Sequence, residues 1–112
     1  MKLSNENIIN LEDFRVKDAK VFTGRDRGEV VRDQSDIDNI EQTFDKVKIV
    51  IPDNIYSINP SFFEELFVNV ILKLGKENFL GKFEFESQGV YNYLKPLHEA
   101  ITRVLRTKTA LD

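Results

Sequence analysis

Ser57, Asn59 and Ser61, with Pro60 between the last two, are the residues whose types and spacing most suggest chemistry. They stand where a β-branched run gives way to a helical pattern. A hydroxyl at a helix start meets free backbone N–H groups and the positive end of the helix dipole. There it serves as a cap, or as an acceptor of phosphate whose charge those N–H groups favour. Two cap registers fit. Asn59 can be the N-cap with Pro60 at N1 and Ser61 at N2, or Ser61 can cap while Glu64 closes a capping box. Ser61 lies in the first turn in both. Glu64 and Glu65, one turn later, would oppose a dianion. Tyr56, Phe62 and Phe63 add aromatic surface. Phe63 falls on the helical stripe, whereas Phe62 lies off it and is either covered by another element or exposed as a docking anchor.

A second candidate is Gly24-Arg25-Asp26-Arg27-Gly28, which reads as a turn by its glycines. Arg25 and Arg27 could hold an anion with guanidinium forks and backbone N–H groups. The stretch is neither a P-loop nor a dinucleotide fingerprint, because the Lys-Ser/Thr and the glycine spacing are absent. The single histidine, His98, has no ligand-spaced partner, so no metal is expected. Without a Gly-x-Ser-x-Gly elbow, a hydrolase built on Ser57 or Ser61 with His98 is the weakest reading. The acidic run Asp33, Asp36, Asp38, Glu41 and Asp45 misses EF-hand spacing and reads as a solvated helix face.

The elements that must position these residues follow from periodicity. Ile8, Ile9 and Leu11 suggest a short strand. Asp13 to Phe22 fits no single period and reads as an extended or turn region. A short helix is expected from about Glu29 with Asp26 as cap, and another over Ile37 to Phe44 with Asp36 as cap. Val47, Ile49 and Ile51 form a central strand that ends at Pro52. Phe63, Leu66, Phe67, Val70, Ile71 and Leu74 make one continuous helical stripe, closed by Gly75. Lys82 to Glu86 alternates as a strand with Phe83 and Phe85 inward. A last helix is expected from Gln88 onward, with Val90, Leu94, Leu97, Ile101, Val104 and Leu105 on its stripe, and Pro96 either kinks it or sits at N1 of a helix that starts near Lys95.

The 112 residues suit one domain, 1–112, with a core over about 18–106 and flexible tails at 1–5 and 107–112. With 41% hydrophobic residues and nine Phe, the chain can build a core. A net charge of -3, from 19 acidic and 16 basic residues, gives no general attraction to nucleic acid or anionic membrane. No cysteine is present, which removes disulfides and thiolate chemistry. No apolar run nears the ~20 residues that span a bilayer, and the opening residues lack an apolar signal region. A cytoplasmic protein is expected.

Three segments together carry a resemblance: Val21-Phe22-Thr23-Gly24-Arg25-Asp26-Arg27-Gly28, then Val47–Pro52, then Tyr56 through Phe67 with its Ser-x-x-x-Ser-Phe-x-x-Glu-Leu-Phe core. In order and spacing, over about residues 18–106, the chain resembles the STAS-like domains of unknown function of bacteria and their phages. These are divergent relatives of the sulfate-transporter and anti-sigma-factor-antagonist superfamily. The resemblance implies a small sheet with helices packed on one side. It also implies a serine at the helix start, here Ser61, that a partner kinase phosphorylates so that docking is blocked. Asn59 stands where those proteins usually carry aspartate. Phe62 replaces the small residue that follows the serine, a departure that bears on kinase recognition. A histidine-kinase-type ATPase or kinase is the partner that the resemblance implies.

The expectation is therefore an α/β domain with a mixed sheet of about four strands and helices packed on it. Its function would be non-enzymatic: protein docking through Ser57–Phe63, with Ser57, Asn59, Ser61, Phe62 and Glu65 in contact and Ser61 as phosphorylation switch. It needs no cofactor. The alternative is a small anion- or nucleotide-binding domain using Arg25, Arg27 and the helix N-terminus at Ser61.

Overall fold

Segments dense in Ile, Val and Phe pair as strands, and the amphipathic segments between them return the chain so that the strands run parallel. The computed structural model describes residues 7–111. In order they form β1 (Ile8–Asn10), a 3-10 turn (Leu11–Phe14), β2 (Val21–Phe22), α1 (Arg25–Ser35) and α2 (Ile37–Thr43). There follow β3 (Val47–Ile51), β4 (Ser57–Ile58), α3 (Pro60–Lys82), β5 (Phe83–Ser87) and α4 (Leu94–Leu111). The chain is α/β. The expected single mixed sheet of about four strands is instead two parallel sheets, β1-β3-β5 and β2-β4.

Register sorts the side chains of the larger sheet. Ile9, Ile49 and Phe85 align on one face, beside Val47 and Phe83. All but the partly buried Phe85 are fully buried, and α3 and α4 supply the residues that cover them. The opposite face carries Ile8, Lys48, Glu84 and Glu86, with a Lys48–Glu86 ion pair of 3.1 Å. The face under the helices therefore holds the core, and the other holds charge.

A line of ring contacts runs from Phe22 through Phe62, Phe63, Phe67 and Phe79 to Phe83, with centroids 4.8 to 5.9 Å apart. Aromatic pairs at such spacing contribute beyond the area they bury. They tie β2, α3 and β5 into one core.

Several boundaries differ from expectation. Thr23–Gly28 is not a free turn: α1 begins at Arg25, with Gly24 at the N-cap. The reason lies at Gly28, where a Cβ would stand 2.6 Å from the Phe62 carbonyl oxygen. The glycine lets α1 lie against the α3 backbone, and that contact extends the helix toward its start. Asp36 occupies the cap position of α2 in a left-handed conformation, without a side-chain cap bond. α3 does not stop at Gly75; it breaks there, at φ 80 and ψ 170, and resumes to Lys82. The last helix begins at Leu94 rather than at Gln88, which leaves Val90 exposed before it, and Pro96 is its third residue rather than N1, since the Leu97 N–H already reaches the Tyr93 carbonyl. α4 continues through most of the stretch expected as a C-terminal tail. The expected tail at 1–5 falls outside the described residues.

Candidate functional site

The candidate site is the end of the molecule where β2, β4 and the first turn of α3 meet. Tyr56 N–H donates to the Lys20 carbonyl at 2.7 Å, and Asn59 N–H donates to the Phe22 carbonyl at 2.8 Å. These bonds fasten both ends of β4 to the β2 segment. Its other side is met by Tyr91, whose phenol oxygen accepts from the Ile58 N–H at 2.9 Å. A two-residue strand has little pairing of its own, so these three bonds hold it in place.

The helix start takes the first cap register. Asn59 Oδ1 accepts from the Ser61 N–H at 2.9 Å and from the Ser61 hydroxyl at 2.8 Å, with Pro60 at N1. Glu64 does not close a capping box. It pairs with Arg25 at 3.3 Å and lies 3.8 Å from Arg103. Glu65 pairs with Arg32 at 3.1 Å and Arg25 at 3.6 Å. Both carboxylates that would oppose a charge on Ser61 thus have guanidinium partners, which lowers that opposition.

Two site residues need correction. Phe62, named as a partner contact but open to being covered by another element, is wholly buried. Its ring packs at a tilt against Phe22 and lies beneath α1, because α3 is covered on a second flank that a single helical stripe does not reveal. Glu65, expected to face a partner, is held inside the α1–α3 contact by Arg32 and Arg25. Ser57 and Asn59 are exposed, and Ser61 is partly so.

The exposed aromatic of this end is Tyr56, 71% accessible, with the Lys20 ammonium 5.3 Å from its ring centroid. Val21, paired in register with Ser57, is 41% exposed. Sequence reasoning grouped Tyr56 with the aromatics but gave it no role, and it missed Val21 and Lys20. The signal available for Tyr56 was its position just before a hydroxyl-rich turn.

Arg25 and Arg27 stand at one concavity, but their guanidinium groups turn to different partners. The concavity is open, of about 580 Å³, and is shared with Thr23, Gly24, Asp26 and Val30. The start of α1 does lie beside α3, as an anion site there would require. Yet Arg25 turns to Glu64 and Glu65, while Arg27 donates to the Phe14 carbonyl at 3.1 Å. Two guanidinium groups so diverted do not form a fork around one anion.

The acidic run also divides. Glu41, expected on a solvated face, is 3% exposed. Burial alone would raise its pKa, but the Lys73 and Lys82 ammonium groups at 2.8 and 2.9 Å outweigh that and hold it below its ordinary value. Among the described residues, no three His, Cys, Asp or Glu side chains gather as a metal site. No described helix is long and apolar enough to cross a membrane. No family model, curated protein or solved structure matches the chain.

Proposed function

We propose that the chain is a non-enzymatic regulatory module that docks a protein partner through the Tyr56–Ser61 end, with Ser61 as the switch residue. One observation carries the reading. An exposed aromatic and exposed hydroxyl and amide groups, Tyr56, Ser57 and Asn59, sit on a backbone tied down by hydrogen bonds and lead straight into Ser61 at N2 of α3. A rigid aromatic with a polar rim makes an economical anchor, because little side-chain freedom is lost on binding.

The chemistry of the switch follows from the cap. A phosphate on Ser61 would replace a hydroxyl donor with a dianion. The helix dipole would favour it, although Pro60 has no N–H and the Ser61 and Phe62 N–H groups already donate to Asn59. A partner closing over that end would then have to desolvate the dianion, and docking would weaken. The STAS-like relationship and a histidine-kinase-type ATPase or kinase as partner belong to the same proposal and rest on the residue resemblance, while the cytoplasmic location rests on the composition and patterning of the sequence.

A photoreactive residue placed at position 56 should crosslink to a cellular protein, and the same residue at Glu84, on the charged sheet face, should not. Equal capture from both positions would remove the Tyr56 end as the docking surface.

A further inference from the structure

The α3 helix contains a break, and the residues around it converge on one side chain. Gly75 has φ 80 and ψ 170, a region that only glycine occupies without strain. Lys73 precedes the break and Lys82 follows it, and both reach Glu41 on α2. Lys73 Nζ lies 2.8 Å from Oε1, and Lys82 Nζ lies 2.9 Å from Oε2 while also donating to the Glu41 carbonyl at 2.6 Å. Each carboxylate oxygen is thus taken by a lysine from a different side of Gly75. One turn earlier on α2, Asp38 accepts from Asn69 Nδ2 at 2.8 Å, which secures the segment before the break. Beyond the break, the Gly81 carbonyl accepts from Lys46 Nζ at 2.7 Å.

We propose that α3 is a latched hinge, with Gly75 as pivot and the buried Glu41 carboxylate as the catch that holds its two segments at their observed angle. Glu41 is suited to this because a buried carboxylate needs both of its oxygens paired. Lys73 and Lys82 come from one chain segment each, so satisfying Glu41 fixes one segment relative to the other. Release of the catch removes the polar tie across Gly75 and leaves the second segment held by Phe79, packed between Phe67 and Phe83, and by the Lys46–Gly81 bond, contacts about which its angle can vary. The device sits away from the Ser61 end and stands whether or not that end docks a partner.

A double-mutant cycle tests it. A Cβ at position 75 would meet nothing within 4 Å, so Gly75→Ala acts through backbone conformation alone. With the latch intact, Gly75→Ala should lower the urea midpoint, because alanine is forced into a glycine conformation. In the Glu41→Gln background the segments can realign and alanine favours helix, so the same change should lower the midpoint by less than about half as much. Equal lowering in both backgrounds would overturn the proposal and assign the break to Phe79 and β5 packing.

Hydrogen exchange adds a second reading. Amides of Phe79 to Phe83 should exchange roughly tenfold faster in Glu41→Gln while those of Leu66 to Ile71 hold their rates. Equal acceleration of both segments would mean global loss of stability and would contradict a hinge. Should Glu41→Gln not fold, Lys82→Met replaces it in both experiments, since Glu41 keeps Lys73.

Discussion

Glu41 is charged, buried and satisfied, and its consequences are visible in the dependence of stability on pH. Desolvation raises its pKa, and the two lysine partners more than reverse this, leaving the folded value below the unfolded one. A carboxylate of that kind stabilises fully above the ordinary glutamate range, and the contribution is lost as pH falls through the depressed folded value. Glu41→Gln should therefore cost about 3 kcal/mol at pH 7, the lower end for breaking a buried pair, because the Lys73 side chain is half exposed. The cost should shrink as pH falls below the ordinary glutamate range, where the unfolded chain takes up the proton before the folded one does. Urea unfolding of both proteins at pH 7 and pH 3 measures it. A difference that stayed constant over that range would show that Glu41 acts by shape alone.

Among the elements, the crossing of α1 over α3 is the contact most sensitive to one atom. Gly28 brings the α1 backbone against the Phe62 carbonyl, and Arg32 and Arg25 on either side of it pair with Glu65. Gly28→Ala places a methyl where no space exists and should destabilise by about 1–3 kcal/mol, the range for overpacking. Thermal unfolding would show it, and an unchanged midpoint would mean that α1 can lift from α3 without loss. This crossing also explains what the sequence could reveal. β3 and the α3 stripe were legible because their periods of two and 3.6 are undisturbed by partners. The start of α1 was not, because its glycines read locally as a turn, whereas only Gly24 lies outside the helix and the tertiary contact at Phe62 holds Gly28 within it. The same contact buries Phe62, so the residue that looked most like a docking anchor belongs to the core. Ser57, Asn59 and Ser61 were legible because cap and turn chemistry is local. Glu41 was not, since its lysine partners lie more than thirty residues away.

At the scale of the whole molecule, the parallel sheet is covered by helices on its apolar face and carries Lys48, Glu84 and Glu86 on the other. The remaining surface is divided by α3. Its start presents Ser61 beside β4, and its break at Gly75 lies roughly 20 Å further along the helix. The proposed docking end and the proposed hinge are therefore separate, and variants at one should leave the other intact. The docking account makes Ser61 decisive through charge placed at the first turn of α3. The most direct test is the dissociation constant of the crosslinked partner for wild type, Ser61→Asp and the control Glu84→Gln. Ser61→Asp should weaken binding at least ~10-fold, equivalent to about 1.4 kcal/mol, while Glu84→Gln binds as wild type does. Equal affinity of Ser61→Asp and wild type would contradict the account.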